Sequence, residues 1–141
     1  MPTATPAAAA RPMRELLRLA ADLPVPDAVT PADFTDRPYT RIPVERGADT
    51  EVVVIGFAAG QTSSVHDHRG SRCVVRVVSG KVLETLFRRL PDGTLEPARS
   101  RVLAAGAVSG LEGDEVHQVT NLDPAGTMLL NVYSPPTKWE G

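Results

Sequence analysis

Between Glu51 and Ser134 no run is long and periodic enough to make an amphipathic helix, and this limits the fold more than any other feature of the sequence. The segment divides instead into β-branched runs, EVVVIGF, CVVRVVSGKVLETLF, PARSRVLAAG, EVHQVTN and TMLLNVYS, separated by turn residues. Ser79-Gly80 and Pro91-Asp92-Gly93 are predicted hairpin turns, because glycine accepts the positive φ at which a chain reverses. Short strands with frequent turns predict an all-β fold, a small sandwich or barrel. Upstream, PMRELLRLAADLP sets Met13, Leu16, Leu17, Leu19 and Ala20 largely on one face, with Pro12 at the start and Pro24 after the end, which predicts one short helix. Pro24, Pro26, Pro31 and Pro38 keep the chain irregular up to Tyr39, so that stretch is expected to cross the surface of the β structure. The opening MPTATPAAAARP reads as a disordered leader (1–12), leaving 13–141 as a single domain.

Charge narrows the partners. Fifteen basic residues against seventeen acidic ones give a formal charge of -2, which excludes a strong electrostatic pull toward nucleic acid or an anionic membrane. One cysteine cannot form an internal disulfide. No apolar run approaches the roughly 18 to 20 residues that span a bilayer, and the N-terminus lacks the basic and leucine-rich blocks of a secretory signal. The expectation is a cytoplasmic protein, monomer or homodimer, with small-molecule partners.

The chain has three histidines, and two of them sit one residue apart in VHDHRGSRC. On a strand, residues two apart share a face, so His66 and His68 are expected side by side as a pincer for a metal; the alternative is a pair of hydrogen-bonded histidines at a strand end. Gly60 precedes His66 by six residues, Gly80 follows His68 by twelve, and Asn121 follows His117 by four. This pattern resembles the two-part cupin signature, although LEGDEVHQVTN lacks the proline and glycine usual before the third histidine. The resemblance implies a cupin-type small β-barrel, a double-stranded β-helix or jelly roll. Cys73 stands where cupins ordinarily supply a glutamate ligand, which leaves three neutral imidazoles. A divalent ion so held keeps its full charge and favours an incoming anion such as a thiolate; iron, zinc, nickel and copper all suit imidazole.

SSVHDHRGSRCVVRVVSGKVLETLF, from Ser63 to Phe87, together with YTR at Tyr39 to Arg41 and YSPP at Tyr133 to Pro136, resembles the thiol dioxygenases and specifically cysteine dioxygenase. The resemblance implies Fe(II) held by His66, His68 and His117, a substrate pocket formed by Tyr39, Arg41, Ile55, Phe57 and Tyr133, and a possible thioether crosslink joining Cys73 to Tyr133. Arg41 would pair with the substrate carboxylate, for which a guanidinium offers a planar fork. The implied reaction adds both atoms of O2 to the sulfur of L-cysteine, giving cysteine sulfinic acid and serving cysteine catabolism. Each residue also has a plainer account: Arg41 as a surface arginine on a turn, Tyr133 as a core residue, Cys73 as a small buried hydrophobe.

Some positions depart from the family. Leu129 and Asn131 stand where a serine and a histidine, respectively, commonly support the tyrosine, so that relay is broken. The N-terminal region is shorter than usual and the chain stops at Gly141, so a lid is expected to be reduced or supplied by a second copy. Arg41, where enzymes acting on 3-mercaptopropionate usually carry glutamine, favours an amino-acid thiol. The alternatives are a dioxygenase for another small thiol carboxylate, or a non-catalytic metal-binding cupin acting as a sensor or binding module.

Overall fold

The computed structural model describes residues 10–25 and 39–137. A ten-residue helix, α1 (Met13–Asp22), precedes eight strands: β1 (Thr40–Arg46), β2 (Glu51–Phe57), β3 (Arg72–Ser79), β4 (Lys81–Arg89), β5 (Leu95–Ala104), β6 (Val108–Leu111), β7 (Val116–Asn121) and β8 (Thr127–Ser134). They form two antiparallel sheets, ordered β1-β2-β8-β3-β6 and β5-β4-β7. The expected all-β architecture with one short N-terminal helix is present.

Side-chain alternation places the core. Val53, Ile55 and Phe57 of β2, Cys73, Val75 and Val77 of β3, and Leu129 and Tyr133 of β8 point inward, where they meet Val82, Leu86, Leu103 and Val119 of the smaller sheet. The opposite parity of the larger sheet is also covered, because Val52, Val54, Val74, Leu130 and Val132 pack against Leu16 and Ala20 of α1. Strands β2 and β8 are therefore buried on both faces, which explains why EVVVIGF and TMLLNVYS read as unbroken apolar runs. Strand β5 has no such cover and is exposed along nearly its whole length.

Three expectations need correction or extension. Ser79-Gly80 is not a hairpin: β3 and β4 lie in different sheets, and the chain turns a corner there. The Pro91–Gly93 turn does join a paired hairpin, with Leu90 N donating to Thr94 O at 2.8 Å. Strands β1 and β6 were not foreseen. β1 carries Pro43 and a register shift, features tolerated because it is a sheet edge, and β6 has only four residues. Of the expected leader, 1–9 lie outside the described residues, while Arg11 is tied to the barrel through its N–H to Ser134 Oγ at 2.9 Å and its carbonyl, which accepts from Arg72. Most of the expected surface crossing, 26–38, also lies outside them. No helix among the described residues is long and apolar enough to cross a membrane.

At the sheet corner Gly80 has φ +90°, and a Cβ there would lie 2.7 Å from Gly126 O and 2.8 Å from Thr127 Cα. Gly80→Ala is expected to cost about 3 kcal/mol, combining the positive φ with overpacking. Urea unfolding of the metal-free protein checks this; a loss under about 1 kcal/mol would mean that the corner relaxes freely.

Candidate metal centre

His66 and His68 lie on the segment between β2 and β3 rather than on a regular strand, which corrects the predicted strand placement. An isolated bridge replaces it: His66 N donates to His117 O at 3.0 Å and His117 N to His66 O at 2.9 Å. Ser63 N donates to Val119 O at 2.8 Å, and Ser63 Oγ accepts from Val119 N at 2.9 Å. The segment is thus fastened along β7, which carries the third histidine. Farther along, His68 N donates to Gly113 O at 3.3 Å. A Cβ on Gly113 would fall 2.6 Å from Gly70 Cα, so this close approach requires glycine.

The three rings converge, with centroids 4.7 to 5.1 Å apart. One nitrogen from each lies within 4.8 Å of the others, a grouping that could hold one metal ion. Two rings have their proton assigned by their partners. His66 Nδ1 is 2.7 Å from the Ser64 carbonyl, which can only accept, and His117 Nδ1 is 3.1 Å from Glu84 Oε2. Both Nε2 lone pairs are then available to a metal. His68 Nδ1 is buried with no hydrogen-bond partner among the described residues, as expected where a ligand completes the site. Burial, then the neighbouring His117 and His66, lower the His68 pKa to about 3, and burial lowers that of His66. His66 and His68 therefore rest as neutral imidazoles, the form a metal needs.

Sequence reasoning missed the group that orients His117. Glu84 is fully buried on β4, where it also accepts from Arg101 Nε at 2.8 Å and Ser109 Oγ at 3.2 Å, and Arg101 donates to Ser109 in turn. Burial alone would raise its pKa, but the hydrogen bonds from His117 and Arg101 outweigh it and hold the carboxyl ionised. The signal was present in VLETL: Glu84 shares the inward parity of Val82 and Leu86, where a charge needs partners.

The histidines open into a cavity of about 90 Å³. That is room for roughly six to nine water-sized groups, the size of a small amino acid. All the expected pocket residues, Tyr39, Arg41, Ile55, Phe57 and Tyr133, line it with the three histidines. Cys73 does not; it lies fully buried, cross-strand from Tyr133. Burial pushes both the Cys73 thiol and the Tyr133 hydroxyl well up, so both stay protonated. Asn131 Nδ2 donates to Tyr133 Oη at 3.0 Å, and the Arg41 Cζ lies 6.0 Å from the Tyr133 ring centroid. Asn131 and Leu129 both line the cavity.

Comparison with known proteins agrees with this geometry. The family model for cysteine dioxygenase type I matches residues 27–139. The chain is 31% identical to cysteine dioxygenase type 1 of Danio rerio over 114 residues and 31% identical to that of Homo sapiens over 113, each alignment covering 74% of this chain. It spans only 55% of the length of those curated relatives. The cupin domain of Schizosaccharomyces pombe Cnp3 superposes with a TM-score of 0.61 at 10% identity, over 78% of this chain and 70% of that one, which identifies the barrel as a cupin fold.

Glu84→Gln should weaken metal binding about 10- to 100-fold, since the outer partner of a ligating histidine is removed as an anion. Chelator competition measures this; an unchanged affinity would show that Glu84 only fills the core. Protonation gives a second prediction for the metal-free protein. The unfolded chain takes up a proton at His68 near pH 6.5 whereas the folded one resists until about 3. Stability is therefore intact above pH 6.5 and falls as pH drops through that window, by about 2 kcal/mol at pH 5 from this group. Thermal melts from pH 7 to 5 should show the fall, and His68→Gln should flatten it.

Proposed function

The chain belongs to the cysteine dioxygenase type I family, and from that premise we propose that it is a thiol dioxygenase using Fe(II) to convert L-cysteine and O2 into cysteine sulfinic acid. One observation carries this reading: three imidazoles, a guanidinium and a phenol face the same small cavity. His66, His68 and His117 would hold the ion, which when bound supplies a Lewis-acidic seat for a thiolate and the electrons that activate dioxygen.

The protein's own groups do the rest. Arg41 binds the carboxylate of cysteine and so fixes where its sulfur lies relative to the histidines. Tyr133 keeps its proton because it is buried, and Asn131 donates to its oxygen, so the hydroxyl hydrogen remains for a nearby acceptor, either the Cys73 sulfur or an oxygen developing on the substrate. Ile55, Phe57, Val119 and Leu129 give the cavity apolar walls that limit water around the reacting thiol. A thioether joining Cys73 to Tyr133, which are cross-strand neighbours, would complete the site. That bond takes one hydrogen from sulfur and one from the ring, with O2 as oxidant.

Oxygen uptake by the iron-loaded protein, offered L-cysteine, 3-mercaptopropionate and cysteamine in turn, tests the proposal. Uptake with cysteine matched by sulfinate is expected. Arg41→Ala should raise the apparent KM for cysteine about 10- to 100-fold, the worth of a charge-assisted hydrogen bond, with iron content unchanged. Stoichiometric iron without uptake on any thiol would favour the non-catalytic binding module instead.

A further inference from the structure

A charged cluster surrounds Arg41, which lines the cavity. Arg41 and Arg46 are five residues apart on β1, a spacing that puts side chains on opposite faces of a regular strand. The register shift between Pro43 and Glu45 inserts one residue, so Arg41 pairs with Ile55 and Arg46 with Glu51. Ile55 and Glu51 share the inward parity of β2, and both arginines are thereby turned to the same side.

Glu51 is only 4% exposed. Its Oε2 accepts from Arg46 Nη1 at 3.1 Å, and its Oε1 accepts from Thr137 Oγ1 at 2.7 Å and Thr137 N at 3.2 Å. Arg41 Nη2 stands farther from the same Oε1, at 3.6 Å, and donates to Thr137 Oγ1 at 3.2 Å. Glu51 therefore grips Arg46 and Thr137 more closely than it grips Arg41, the arginine that lines the cavity. Two guanidiniums less one carboxylate leave these three side chains with a net charge of +1.

We propose that Glu51 is a resident carboxylate that sets how strongly the pocket holds a ligand's carboxylate. It shares the charge of Arg41 with the ligand, so affinity follows the net charge of the Arg41, Arg46 and Glu51 cluster. This rests on the reading of Arg41 as the carboxylate-binding group. Glu51 makes no contact with the ligand; it acts through Arg41 as a positioning and tuning residue.

Opposite-signed variants separate this from a structural role. Glu51→Gln keeps the shape and an acceptor for Thr137 while raising the cluster to +2. Arg46→Gln, at a side chain 57% exposed, lowers it to zero. Ligand affinity is read by anaerobic calorimetric titration of the iron-loaded protein with L-cysteine and with cysteamine, which lacks the carboxylate. Glu51→Gln should tighten cysteine about three- to tenfold and Arg46→Gln weaken it by a similar factor, as expected for one charge removed a few ångströms beyond the contact. Neither should move cysteamine the same way. A damaged fold cannot produce the gain, and if Glu51→Gln does not fold, the Arg46→Gln result decides. A wild-type preference for cysteine over cysteamine whose size neither variant changes overturns the proposal alone. No such preference in the wild-type protein removes Arg41 as the carboxylate-binding group, and the proposal falls with it.

Discussion

The reciprocal backbone hydrogen bonds between His66 and His117 are the constraint on which the centre depends. They join a segment that belongs to neither sheet to a strand of the smaller sheet, and bring together histidines far apart in sequence. Because the bonds are made by the main chain of the histidines themselves, ring positions are fixed by backbone geometry rather than by long side chains. Ser63 and Gly113 extend the seam on either side, so the segment has little freedom to carry His66 or His68 away from His117.

That arrangement places polar groups inside an apolar barrel, and their desolvation must be offset. His66 and His68 meet the demand by staying neutral. The two buried carboxylates meet it with arginines, Glu84 through Arg101 and Glu51 through Arg46 and Arg41. Such pairs add little net stability, since desolvation consumes most of the attraction. Their value lies in orientation: Glu84 fixes which nitrogen of His117 is left open, and Glu51 lies behind the guanidinium that lines the cavity. Two acid–arginine units thus stand behind the site, one at the third histidine and one at Arg41, where a ligand's anionic group would rest.

The fold was legible because burial leaves a mark on residue choice. Runs such as EVVVIGF and TMLLNVYS could only be strands covered on both faces, and the helix supplying the second cover was visible in the spacing of Leu16 and Ala20. The three histidines and the Arg41–Tyr133 pocket were legible through spacing and family resemblance. Three features were not. Ser79-Gly80 looks the same in a hairpin as at a corner between sheets, because local turn chemistry is silent about which strand pairs next. The histidine segment lacks regular strand structure because its bonds run to β7, a contact across more than fifty residues that no short window can register. Strand β1 was hidden by Pro43, and with it the bulge that turns both arginines inward. Glu84 and Glu51 could have been found by asking which charged residues share the parity of a buried strand face.

Asn131 shows how a departure from the family pattern can keep one function and lose another. A histidine with a serine behind it would pass a proton along; an amide cannot, and the leucine at 129 ends any chain of hydrogen bonds on that face of β8. What the amide retains is a donor, aimed at Tyr133 Oη. A phenol oxygen that accepts there keeps its own hydrogen free to donate, and burial holds that hydrogen in place. The structure therefore keeps Tyr133 as a fixed donor beside the cavity while removing its route for proton exchange through the strand. Any proton that the chemistry releases must then leave by the cavity mouth, and Arg41, permanently charged, cannot carry it. The three imidazoles that line that cavity would be occupied by metal binding and so could not take it up. In the proposed reaction the thiol proton would then depart as the substrate binds rather than during oxygen transfer.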